Sequence, residues 1–99
     1  MGESQARGML TQRVQDKALE LMGREISTVE LRLMPYVQYV AMNDQYIDMR
    51  RVSDDDHDTL AKWKEEGRVI CYQDNLELTK EFWGTLHEIL YLSYVDLYA

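Results

Sequence analysis

Cysteine, proline and glycine are scarce in this chain, and each scarcity removes a class of architecture. The single cysteine, Cys71, has no second cysteine in the chain to pair with, so a disulfide-stapled scaffold is excluded. One proline, Pro35, and five glycines, three of them Gly2, Gly8 and Gly23, leave few breaks after the first quarter. That favours helices over a turn-rich β fold. Long apolar runs are also missing. The longest candidate for a span, Leu86 to Ala99, contains His87, Glu88 and Asp96 and is shorter than the roughly 20 apolar residues a bilayer requires. No apolar run of the secretory kind opens the sequence, and Met1-Gly2 is followed by Ala6 where a myristoylation signal carries Ser or Thr. No membrane association is expected, and a reducing cytoplasm is the expected compartment.

Basic side chains are outnumbered as well. Eleven Lys and Arg stand against 18 Asp and Glu, a formal charge of −7, which repels a phosphate backbone on average. What the chain does have is an ordinary complement of core-forming residues, 45% apolar and 10% aromatic, so it folds. Its 99 residues suit one domain that buries somewhat more than about 60% of its unfolded surface.

Residues 1–8 are small and polar without periodicity and read as a flexible leader, with a single helical domain over 9–99. From Met9 to Met22 the apolar residues Leu10, Val14, Ala18, Leu19 and Met22 step by three and four, and Gly23 follows as a C-cap. Ser27-Thr28-Val29-Glu30 is a capping box that starts a second helix. Pro35 then predicts either two consecutive helices, the later one over Tyr36 to Tyr46, or one helix with a marked bend. Ser53 followed by Asp54, Asp55 and Asp56 is a strong helix start, a hydroxyl cap with carboxylates on the positive end of the dipole. That helix runs to about Glu66 and stops at Gly67, burying Leu60, Trp63 and, one turn earlier, His57. Arg68 to Gln73 and Leu76 to Thr79 flank Asp74-Asn75 and predict a hairpin at about 68–79. Thr79 caps a last helix, Lys80 to about Tyr98, whose apolar residues cover more than one face. The fold class is therefore mainly α, four to five helices with one short β-hairpin.

Candidate chemistry is thin. Asp54, Asp55, Asp56 and Asp58 with His57 could offer oxygen and imidazole ligands, but consecutive residues at a helix start point apart, and capping with solvation explains them better. Cys71, His57 and His87 show no zinc spacing, and Cys71 on an apolar strand reads as a small hydrophobe. Glu81 and Glu88 read as solvated surface groups. With no phosphate loop, nucleophile elbow or His-Glu-x-x-His motif, neither enzymatic activity nor a cofactor is expected.

The segment Ser53 to Trp83, containing TLAKWKEEGRVICYQDNLELTKEFW, resembles the second half of winged-helix domains, in which a helix, a glycine, a two-stranded wing and a Thr-capped helix follow one another. The resemblance implies a DNA-facing helix over Asp54 to Glu66 and a wing tip at Asp74-Asn75. The chain departs from that pattern where it matters, because the turn that would face the groove reads Asp-Asp-Asp-His-Asp, whereas base readers bring Arg, Lys, Asn or Gln. Nucleic acid is not expected to bind through this helix. In its small size, acidity and want of catalytic motifs the chain is also similar in type to small bacteriophage and prophage proteins.

Two functions follow as expectations. One is a protein-binding adaptor or inhibitor whose acidic face, Asp54, Asp55, Asp56 and Asp58, occupies a basic, nucleic-acid-binding target. The other is a dimeric winged-helix transcriptional regulator. Under either, the surplus of Tyr and Leu on the last helix suggests a homodimer interface at Tyr91, Tyr94, Val95 and Tyr98. Replacing the cap in Ser53→Ala should cost about 1 kcal/mol. Urea unfolding measures it: an unchanged midpoint at constant slope would remove the assigned helix start.

Overall fold

The computed structural model describes residues 9–43, 45–48, 50 and 52–95. The proposed leader, residues 1–8, and Tyr98 lie outside the described residues. In chain order the fold has α1 (Gln12–Met22), α2 (Thr28–Met42), α3 (Asp54–Glu65), β1 (Val69–Tyr72), β2 (Asn75–Leu78) and α4 (Lys80–Leu90), which continues into a π-helical turn, Tyr91–Val95. It is mainly helical with one antiparallel hairpin.

Each α-helix begins at a hydroxyl. Thr11, Ser27, Ser53 and Thr79 accept hydrogen bonds from the amides of Val14, Glu30, Asp56 and Phe82 at 3.1–3.3 Å. Thr11 takes the first cap, so α1 starts there rather than at Met9. It ends at Gly23, whose φ of +77° only glycine adopts cheaply and whose amide reaches the Leu19 carbonyl at 3.1 Å. The Gln15 side chain then clamps the following loop, donating to the Ile26 carbonyl and accepting from the Ile26 amide, both at 2.8 Å.

Three boundaries correct the sequence reading. α2 is one helix that continues through Pro35 to Met42 rather than two. Leu31, Leu33, Met34, Val37 and Val40 are all buried around the proline. At about 1.5–3 kcal/mol for each large apolar side chain, their burial outweighs an interior proline costing about 3 kcal/mol. The hairpin turns at Gln73 and Asp74, not at Asp74-Asn75, since Tyr72 pairs with Asn75. This register sets Cys71 opposite Leu76 on the inner face, whereas the expected one would set polar Gln73 there. Finally, the α-helical part of the last helix stops at Leu90.

The core is one cluster drawn from every element. Trp63 is fully buried and Leu60 nearly so, as their three-residue spacing predicts, while His57 is only half-buried. The Trp63 ring meets Phe82 edge-on at 5.0 Å. α4 packs against both α1 and α2, so Leu86, Ile89 and Leu90 are buried and Leu92 and Tyr94 rest against the core. Much of the apolar surplus on the last helix is thereby used internally.

A polar network ties the helix ends together. The Glu30 carboxylate, with a side chain 3% exposed, accepts from Arg24 Nη1 (3.1 Å) and Nη2 (2.7 Å), from the Ser27 amide (2.9 Å) and from Trp63 Nε1 (2.9 Å). Arg24 also donates to Glu66 from Nε (2.7 Å) and Nη2 (2.9 Å). Arg68 completes the network through Glu66 (3.0 Å) and the Met22 carbonyl (2.9 Å). Bonds from Arg24 and then Arg68 hold the Glu66 pKa down at about 2, against the opposing effect of partial burial. Burial pulls Glu30 upward, yet the bonds from Arg24, Ser27 and Trp63 together leave it below the usual range. Arg24 is raised in turn, first by Glu66 and then by Glu30.

Both carboxylates are more acidic when folded, so their stabilisation is full above the ordinary value of 4.5 and is lost as pH falls toward about 2. The urea midpoint should fall over that window, and less steeply in Glu66→Gln; equal slopes would remove Glu66 from the acid response. Trp63→Ala, which empties the centre of the core and unpairs one bond to Glu30, should cost about 3–5 kcal/mol. Emission at a water-like wavelength from Trp63 in a Trp83→Phe variant would refute its burial.

Candidate partner-binding surfaces

The first candidate is the start of α3. Ser53 closes the cap with φ −68° and ψ 165°, which fixes the direction in which the next residues leave the chain. Asp54, Asp55 and Asp58 are exposed and Asp56 is half-buried. Among the described residues no ion pair involves any of these four carboxylates. Four basic side chains are engaged elsewhere: Arg24 and Arg68 in the buried network, Arg50 with Asp48 at 3.1 Å, and Lys17 with Glu20 at 3.3 Å. The helix dipole stabilises the carboxylates where they stand, and the remaining negative field is directed at solvent.

Asp55 and Asp56 border an open cleft of about 410 Å³ between α2 and α3. Val29, Arg32, Leu33 and Tyr36 form the α2 wall, and Val52, Ser53, Asp55 and Asp56 form the other. Leu33 is buried, Arg32 is exposed, and Tyr36 is 39% exposed. Val29, Leu33 and Val52 give the lining apolar area, while Asp55 and Asp56 give it negative charge that Arg32 on the facing wall partly offsets.

The second candidate is the C-terminal end of the last helix. Tyr91 and Val95, one turn apart, face solvent at 54% and 66% exposure. Tyr94 is half-buried against the core, so the expected interface group separates into two outward residues and one inward one. The bend in spacing comes from the π-helical turn, which buries Ser93 between them.

Other chemistry-bearing residues are dispersed. Among the described residues no group of three or more His, Cys, Asp and Glu is placed to hold a metal ion. Cys71 is half-buried on β1, with Sγ 3.9 Å from the Gln73 carbonyl, whereas His87 lies on α4 edge-on to Trp83 at 4.9 Å and 3.4 Å from Gln38 Nε2. No helix among the described residues is long and apolar enough to cross a membrane.

In a small domain most of the Tyr and Trp residues are expected in the core, yet several tyrosines lie at the surface. Tyr39, Tyr46 and Tyr72 are 65%, 52% and 72% exposed, with Met42 and Ile70 beside them in sequence at 65% and 57%. The signal available was alternation: if Val69 and Cys71 face inward, Ile70 and Tyr72 face out. Comparison with known protein families, curated proteins and solved structures finds no match.

Proposed function

We propose that this chain is a small non-enzymatic protein-binding module that sets the acidic start of α3 against a basic surface of its partner, as an adaptor or inhibitor of a nucleic-acid-binding target. The observation that carries this reading is the group of unpaired carboxylates at Asp54, Asp55, Asp56 and Asp58, at the end of α3 that borders the cleft against α2. None of these carboxylates is in an ion pair among the described residues, so the face retains charge that steers a basic partner toward it. The alternative is a dimeric winged-helix regulator, supported by the order α3, hairpin, α4. That reading requires phosphate contacts from cations outside α3, because the first turn of α3 repels phosphate.

Surface-immobilised poly-lysine and random duplex DNA separate the two. The first reading expects binding to poly-lysine that weakens with salt and is largely lost when the four aspartates are changed to asparagine, with no binding to DNA. DNA affinity with a steep salt dependence, or poly-lysine binding indifferent to the substitutions, would overturn it.

We also propose a homodimer through Tyr91 and Val95, a two-fold contact being the commonest cover for exposed apolar groups on a small protein. Sedimentation at micromolar concentration should show a dimer that Tyr91→Glu converts to a folded monomer. A monomeric wild-type chain removes this proposal.

A further inference from the structure

The hairpin is extended by a third segment. β2 pairs with β1 through Tyr72 and Asn75 at the turn, and its other edge meets the chain at a bridge between Tyr46 and Asn75. The Leu76 amide donates to the Gln45 carbonyl at 2.7 Å, and the Ile47 amide to the Asp74 carbonyl at 2.8 Å. Alternation then sorts the side chains. Ile47, Val69 and Leu76 are buried on the inner face, and Tyr46, Ile70, Tyr72, Asn75 and Glu77 are exposed on the outer one.

Residues paired directly across strands share a face, so Tyr46, Asn75 and Tyr72 form a row with the asparagine in the middle. Neighbouring strands lie about 4.8 Å apart, which sets the two tyrosine backbones about 10 Å from each other. Ring pairs stack with centroids about 4.5–7 Å apart, so at this spacing the two tyrosines bracket a slot with Asn75 between them. Tyr46, Tyr72, Gln73, Asp74 and Asn75 together line a shallow cleft of about 310 Å³.

We propose that this slot docks a polyproline-II segment that carries a basic residue, independently of the acidic face on α3. A polyproline-II chain has no internal hydrogen bonds, so its carbonyls seek donors, and the amides of Gln73 and Asn75 with the tyrosine hydroxyls supply them. Its prolyl rings enter an aromatic slot already rigid, with little entropy left to lose. Charge selects the flanking residue: Asp74 and Glu77 are exposed and make no ion pair among the described residues. Arg50, which lies within electrostatic reach of Asp74, is itself bonded to Asp48 at 3.1 Å. A nucleobase could stack on the same rings, but its phosphates would meet Asp74, Glu77 and a chain of formal charge −7.

The test is a nitrogen-labelled NMR titration of the full chain with the peptide Arg-Pro-Pro-Leu-Pro-Pro-Arg, against the same peptide with alanine for proline and against a short oligothymidylate. The expected result is saturable shifts confined to Tyr46 and the Tyr72–Asn75 turn, with the proline peptide preferred. Tyr72→Ala should weaken the affinity by about tenfold or more, while its thermal midpoint stays near wild type because the ring is 72% exposed. The variant with asparagine at the four α3 positions should bind the peptide as the wild type does, so the two surfaces stand or fall separately. Equal affinity for the alanine peptide, preference for oligothymidylate, shifts elsewhere on the surface, or no shifts at millimolar peptide would each overturn the proposal.

Discussion

A carboxylate out of water must find its hydrogen-bond partners inside the protein, and Glu30 imposes that condition on the rest of this fold. Its side chain is 3% exposed, and an unpaired charge there would cost several kcal/mol. Four donors meet it: two from Arg24, the amide of Ser27 and the indole of Trp63. Those donors come from the loop after α1, from the cap of α2 and from the last turn of α3. Glu66 and Arg68 extend the same network to the chain entering β1 and back to the end of α1. The geometry thus fixes where α3 ends. With that end anchored, its opposite end, which carries the aspartates, is left at the surface.

The same network divides the charge. Arg24 and Arg68 are spent on Glu30 and Glu66, which removes two cations from the exterior of a chain that has few. The acids at the start of α3 are held by a different interaction, the dipole of the helix they begin, and that needs no counter-ion. A negative field outside and balanced charge inside are two consequences of one arrangement. The partner chemistry proposed for α3 rests on the part left unbalanced.

Aromatic residues divide in a parallel way. Trp63 and Phe82 meet at the centre, where large rings bury the most area for the fewest ordered residues. Tyr39, Tyr46, Tyr72 and Tyr91 stay outside, although their rings are as large. Their positions on the outer faces of α2, the sheet and the last helix follow from register, and a hydroxyl tip makes such exposure tolerable in water. What this leaves is a set of rigid amphipathic contacts at the surface of a small molecule, suited to interfaces.

Much of the local structure was legible without coordinates, because its causes lie within a few residues. The caps at Ser27, Ser53 and Thr79, the capping box with Glu30 and the stop at Gly23 are bonds spanning three or four residues, and each forms where the sequence places it. The three-residue spacing of Leu60 and Trp63 likewise determined which side of α3 is buried. The exposed aspartates were visible for the same reason, since a capped first turn projects its side chains outward. What the sequence could not decide depends on partners far along the chain. α2 continues through Pro35 because neighbours from other elements bury its flanks. Arg24 and Glu66 meet across 42 residues, and Gln45 joins Leu76 across a connection that no local pattern announces. Tyr46 and Tyr72 become neighbours of one asparagine only once three segments are in register, because pairing across strands is set by which residues the core can bury together.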